Sequence, residues 1–159
     1  MERIFIKLNS GFFFGLTSGV ITTLGLIMGL YSATLSLKVI LIGIITIAIA
    51  DALSDSLGIH LAKESENKKH NIVWKETFST FFSKLIVAGS FIIPYLLFSL
   101  NIATVIAIVW GMVILIIGNI IISKIRKESA IKLIFEHLVF AIIVLIVTYG
   151  VGYLLSILF

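Results

Sequence analysis

Five apolar runs of roughly twenty residues alternate along the chain with short polar stretches. A helix needs about 20 apolar residues to cross a bilayer. The runs predict spans at about residues 11–32, 38–61, 77–99, 102–123 and 134–158. Many of these residues are β-branched, which favours strands in water. In lipid the backbone must satisfy its own hydrogen bonds, and uninterrupted runs of this length do so as helices. The alternation of polar and apolar residues that marks a membrane barrel is absent. The fold class expected is therefore an all-α integral membrane protein, with residues 1–159 forming a single five-helix domain.

Composition agrees: 60% of the 159 residues are hydrophobic and only 13% are charged, against about 25% charged in soluble domains. Mean hydropathy is +1.21. Cysteine is absent, so there is neither disulfide nor thiolate metal site. The net charge of +4 does not point to nucleic acid, because the basic residues cluster between spans, where they act as orientation signals. Arg3 and Lys7 precede the first span. Lys63, Lys68, Lys69 and Lys75 lie between the second and third. Lys124, Arg126, Lys127 and Lys132 lie between the fourth and fifth. The other side has only Lys38. This distribution puts the N-terminus in the cytoplasm and the C-terminus outside, in a multi-pass protein of the cell membrane. The first span is not followed by a small-residue cleavage site and reads as retained. Residues 63–75 read as the longest loop. Lys84, about two turns into the third span, is expected to snorkel to the cytoplasmic face, and Pro94 to kink or end that span.

Candidate chemistry centres on Asp51 and Asp55, the only acids in residues 39–62. On a wheel of about 100° per residue they fall about 40° apart. Acids at mid-bilayer cost roughly 2.5–3.5 kcal/mol each on insertion scales, so they mark a polar path by default. Ala62 and Glu66 return to the same face, with Gly58 nearby, giving a carboxylate stripe towards the cytoplasmic end. Carboxylate oxygens suit hard divalent ions such as Mn²⁺, and Fe²⁺ with lower preference. His60 and Glu64, one turn apart, form either half of a site at the mouth or an interfacial anchor. Glu64, Glu66, His70 and Glu76 gather around the same loop. Ser18 and Thr22 add hydroxyls at the middle of the first span. Gly11, Gly15 and Gly19, then Gly25 and Gly29, step by four, as in closely packed helices. Asn119 is a candidate cross-helix bond, and Glu136 and His137 sit at the boundary of the last span. The cation reading fails if Asp51 and Asp55 face the hydrocarbon, or if they lie far from any symmetry mate and are already tied up by Lys or backbone donors.

In order along the chain, GLTSGVITTLGLIMGLYSA (15–33), IADALSDSLGIHLAKESE (49–66), FIIPYLLF (91–98) and TYGVGYLL (148–155) resemble the vacuolar iron transporter family of divalent-metal exporters. The resemblance implies five helices, a homodimer with the ion path between subunits, and export of Fe²⁺ or Mn²⁺ against protons. The metal site expected from the residues themselves is Asp51 and Asp55, lined by Ser18 and Thr22, with Glu64 and Glu66 gathering ions at the mouth and His60 beside Glu64 as half of an entry site. Three departures are visible. Ser18, before Gly19, stands where the family has an Asp. Asp55, after Ser54, stands where it has a Met. About ten residues replace the cytoplasmic metal-binding domain of plant members. Loss of the thioether shifts preference to harder ions. The expected partners are divalent ions, lipid and a second copy of the chain, with no resident cofactor. An alternative is a non-transporting protein whose acidic stripe stabilises a dimer. Catalysis is not expected: an intramembrane aspartyl protease carries its acids on two helices with a Gly-x-Gly-Asp signature, absent here.

Overall fold

The computed structural model describes residues 9–159, so Arg3 and Lys7 lie outside the described residues. Six helices follow in order: α1 Ser10–Thr34, α2 Leu37–Ser65, α3 His70–Ser90, α4 Ile92–Leu97, α5 Leu100–Arg126 and α6 Ala130–Leu158. With α3 and α4 taken as one broken span, His70–Leu97, there are five helices long and apolar enough to cross a membrane. The chain is an all-helical multi-pass membrane protein by this measure. Leu and Ile side chains cover the outside, as a lipid-facing surface requires, and α6 is exposed along most of its length.

The connections are tighter than the sequence suggests. Helix α2 runs on to Ser65 and α3 begins at His70, so only residues 66–69 are loop where 63–75 were expected. The mixed segment HNIVWKE is helical because Val73, Glu76 and Thr77 bury one face of it. Three linkers turn through a left-handed residue, at Leu35, Asn67 and Lys127. All eight basic residues at 63, 68, 69, 75, 124, 126, 127 and 132 fall at one end of the bundle, called here the basic end.

Helix α1 is the hub and packs on α2, α3, α5 and α6. Its glycines decide this, because a helix without side chains on one face admits a neighbour's backbone. A Cβ on Gly15 would come within 2.5 Å of the Thr80 carbonyl of α3, and one on Gly25 within 2.9 Å of Val144 of α6. The partner face of α5 is also small: Ala103, Ala107, Gly111, Leu115 and Gly118 are buried, and Leu24 of α1 fills the space at Gly111. Val20, Leu24, Ile27, Ile40, Ile44, Phe91 and Tyr95 complete the core.

The third span breaks at Phe91, whose N–H bonds back to the Ala88 carbonyl at 3.2 Å. Pro94 has no N–H for the carbonyl of Ser90, which explains why the helix ends at that residue. Beyond it, the Tyr95 hydroxyl donates to Thr104 at 3.1 Å and ties α4 to α5. Asn119 does not bond across helices. Its Nδ2 donates to Leu115 of its own helix at 2.8 Å.

Candidate functional site: an intramembrane Asp–Lys–Asp cluster

Asp51 is the middle residue of α2, and Asp55 lies one turn towards the basic end. Facing them, α3 carries a polar stripe, Glu76, Thr77, Thr80, Ser83 and Lys84, all buried. The stripe is tolerated because each member has a partner nearby. Thr80 donates to the Gly11 carbonyl at 3.1 Å and Ser83 to the Thr80 carbonyl at 3.1 Å. The glycine face of α1 brings these groups within reach.

Lys84 corrects the reading from sequence. It does not snorkel: it is 1% exposed. The backbone position of Gly19 makes room for its stem, since a Cβ there would stand 3.4 Å from the Lys84 Cα and Cγ. The ammonium donates to Ser18 Oγ at 2.8 Å, sits 2.6 Å from Asp51 Oδ2, and pairs with Asp55 Oδ2. Ser18 Oγ in turn donates to Asp55 Oδ2 at 2.7 Å. The Asp51 contact is an ion pair without hydrogen-bond alignment. A buried ammonium needs such partners, because an unpaired charge out of water is strongly disfavoured. Both acids are thus paired with a lysine of their own chain, which the expected snorkelling of Lys84 did not foresee.

Neutralisation is incomplete. Two carboxylates face one ammonium, which leaves one negative charge at mid-span. The Oδ2 atoms are the oxygens nearest to Lys84, and the Oδ1 atoms of Asp51 and Asp55 have no hydrogen-bond partner among the described residues. The two side chains keep 25% and 22% of their area exposed. On the same face of α2, one turn from Asp51, Ile47 joins α1 and α6 in lining an apolar groove of about 600 Å³. Neither acid lines that groove.

The other candidates do not join this cluster. Thr22 donates to the Ser18 carbonyl at 2.9 Å and lines the groove. Glu66 is exposed and pairs with Lys63 at 3.1 Å. His60 and Glu64 stay together, Nε2 to Oε1 at 3.3 Å. Because Thr77 Oγ1 donates its proton to Val73, His60 Nδ1 is the donor in its 3.0 Å contact with Thr77. The Nε2 atom therefore accepts in the neutral ring and donates to Glu64 only in the imidazolium. His70 accepts from Trp74 Nε1 at 3.0 Å. Among the described residues no three His, Asp or Glu side chains converge as a metal cage.

Glu76, expected in the loop with Glu64 and Glu66, is instead 8% exposed. It accepts from Ser10 Oγ at 2.9 Å and from the Gly11 N–H. It thereby stabilises the positive end of the α1 dipole from another helix. The spacing of the α3 stripe, matched against Gly11, Gly15 and Gly19, was the signal that could have placed both Glu76 and Lys84.

Compared with protein-family models, with curated proteins and with solved structures, the chain gives no match in any of the three. The functional reading rests on its own residues.

Proposed function

We propose that the chain is a divalent-cation transporter of the vacuolar iron transporter type. In this reading it works as a homodimer, with its basic end in the cytoplasm, and carries Mn²⁺ or Fe²⁺ outward in exchange for protons. The observation that carries the reading is a pair of carboxylates at the middle of α2 set against a single ammonium, with both acid side chains still 25% and 22% exposed. Ionisable groups at that depth mark cation paths. The donor set is hard, two carboxylates and the Ser18 hydroxyl, which favours Mn²⁺ over Fe²⁺.

Mn²⁺ and related hard ions gather about six oxygens. One chain offers too few, and a second copy against the α1–α2 seam doubles the supply. The groove between α1, α2 and α6 gives that seam an apolar surface, with Ile21, Leu26 and Ile47 in its wall. His60 and Glu64 stand about 7–14 Å further along α2, from a rise of about 1.5 Å per residue. They would receive the ion at the mouth.

A second reading has its own support. Lys84 links α1, α2 and α3 through Ser18, Asp51 and Asp55, so the cluster could serve assembly alone. Mn²⁺ uptake into liposomes separates the two. Asp55→Asn should lose at least about tenfold in rate, as removal of one of two charged ligands demands. Uptake equal to wild type removes Asp55 from the path and favours the structural role.

A further inference from the structure

A metal ion takes no ligand from an ammonium, so the cation reading alone gives Lys84 no part in binding. Resting on that reading, we propose that Lys84 is a fixed internal charge that sets the capacity of the site at one divalent cation for two chains. The argument is charge balance in a medium that penalises any remainder. Each chain brings two carboxylates and one ammonium to mid-span, a net charge of minus one. Two chains bring minus two, which one divalent ion cancels. Without Lys84 the same two chains bring minus four and call for two ions.

The geometry suits a fixed charge rather than an exchangeable one. Lys84 approaches from α3, on the inner side of the acids, and is 1% exposed. Its stem lies against Gly19, and its ammonium is held by Ser18 as well as by both acids, closest at their Oδ2 atoms. The acids remain partly exposed while the lysine does not, so an entering ion meets the carboxylates and not the ammonium. Ser18 bridges the two roles: its hydroxyl accepts from Lys84 and donates to Asp55.

The test is Mn²⁺ binding stoichiometry for the full chain in detergent, by equilibrium dialysis and metal analysis. Wild type should bind one Mn²⁺ per two chains. Lys84→Gln should double that, to one per chain. Asp51→Asn, which leaves each chain neutral at mid-span, should bind at least about tenfold more weakly. The double variant Lys84→Gln/Asp51→Asn restores a charge of minus one and should return to one ion per two chains. A lysine that only holds helices together gives no such rescue. Equal stoichiometry in wild type and Lys84→Gln overturns the proposal, and so does one ion per chain in wild type, while the cation reading survives both. Absence of Mn²⁺ binding in wild type and in Lys84→Gln overturns the cation reading itself. Should Lys84→Gln alone fail to fold, the double variant and Asp51→Asn decide the matter: equal Mn²⁺ binding by the two refutes the charge count.

Discussion

Replacing Lys84 by Met isolates what the ammonium contributes to folding. The methionine stem fits the same channel beside Gly19, so packing is largely kept. What disappears are two hydrogen bonds, one at 2.8 Å to Ser18 and one to Asp55, and the shared counter-charge of Asp51 and Asp55. Breaking a buried pair by removing one partner costs about 3–5 kcal/mol. Both acids retain about a quarter or a fifth of their surface, so the lower end, about 3 kcal/mol, is expected. Asp55→Asn should cost less, about 1–2 kcal/mol, because Lys84 keeps Asp51 and the amide oxygen can still accept from Ser18. The triple variant Lys84→Met/Asp51→Asn/Asp55→Asn removes every charge and should recover much of the loss. Reversible unfolding in mixed micelles, followed by the fluorescence of Trp74 and Trp110, measures all three. A Lys84→Met protein within about 0.5 kcal/mol of wild type, the spread of neutral surface substitutions, refutes the burial and pairing of Lys84. A triple variant as unstable as the single one refutes the electrostatic origin of the loss.

Two further outcomes test the packing. Gly15→Val should cost about 3 kcal/mol or more by driving α1 from α3, since even a Cβ meets the Thr80 carbonyl at 2.5 Å; Gly58→Ala, with nothing within 4 Å, should be neutral or stabilising by up to about 1 kcal/mol, both read by the same unfolding assay. Glu76→Gln should lose about 1–2 kcal/mol through weaker bonds to Ser10 and Gly11, with slower-exchanging amides at the start of α1 becoming faster in hydrogen exchange; unchanged exchange there removes Glu76 from the helix end.

The spans were legible because length and hydropathy alone determine them, and each expected run lies within an observed helix save for one or two residues at the ends of the third. Their ends were less legible. The segment 70–76 mixes Trp, Lys and Glu, and it is helical because it packs on α1 through Glu76 and on α2 through Trp74. The acids at 51 and 55 stood out because an apolar background isolates them. Lys84 was misread because, taken on its own helix, a lysine two turns from an end has an easy route to water. Its real environment is set by two other helices, through Gly19 and Ser18, and no single-span pattern contains that. Glu76 failed for the same reason: its partners lie 65 and 66 positions away in the chain.

The interruption at Phe91 divides one span between two allegiances. Below it, α3 is bonded to the charged cluster and to the start of α1. Above it, α4 is bonded to α5 through Tyr95. With Pro94 unable to supply a backbone donor to Ser90, bending at this joint breaks fewer backbone bonds than bending elsewhere in the span. Trp110 of α5 also donates to Ser90 at 3.0 Å, so α5 grips the joint from both sides, while Lys84 is held by α1 and α2 alone.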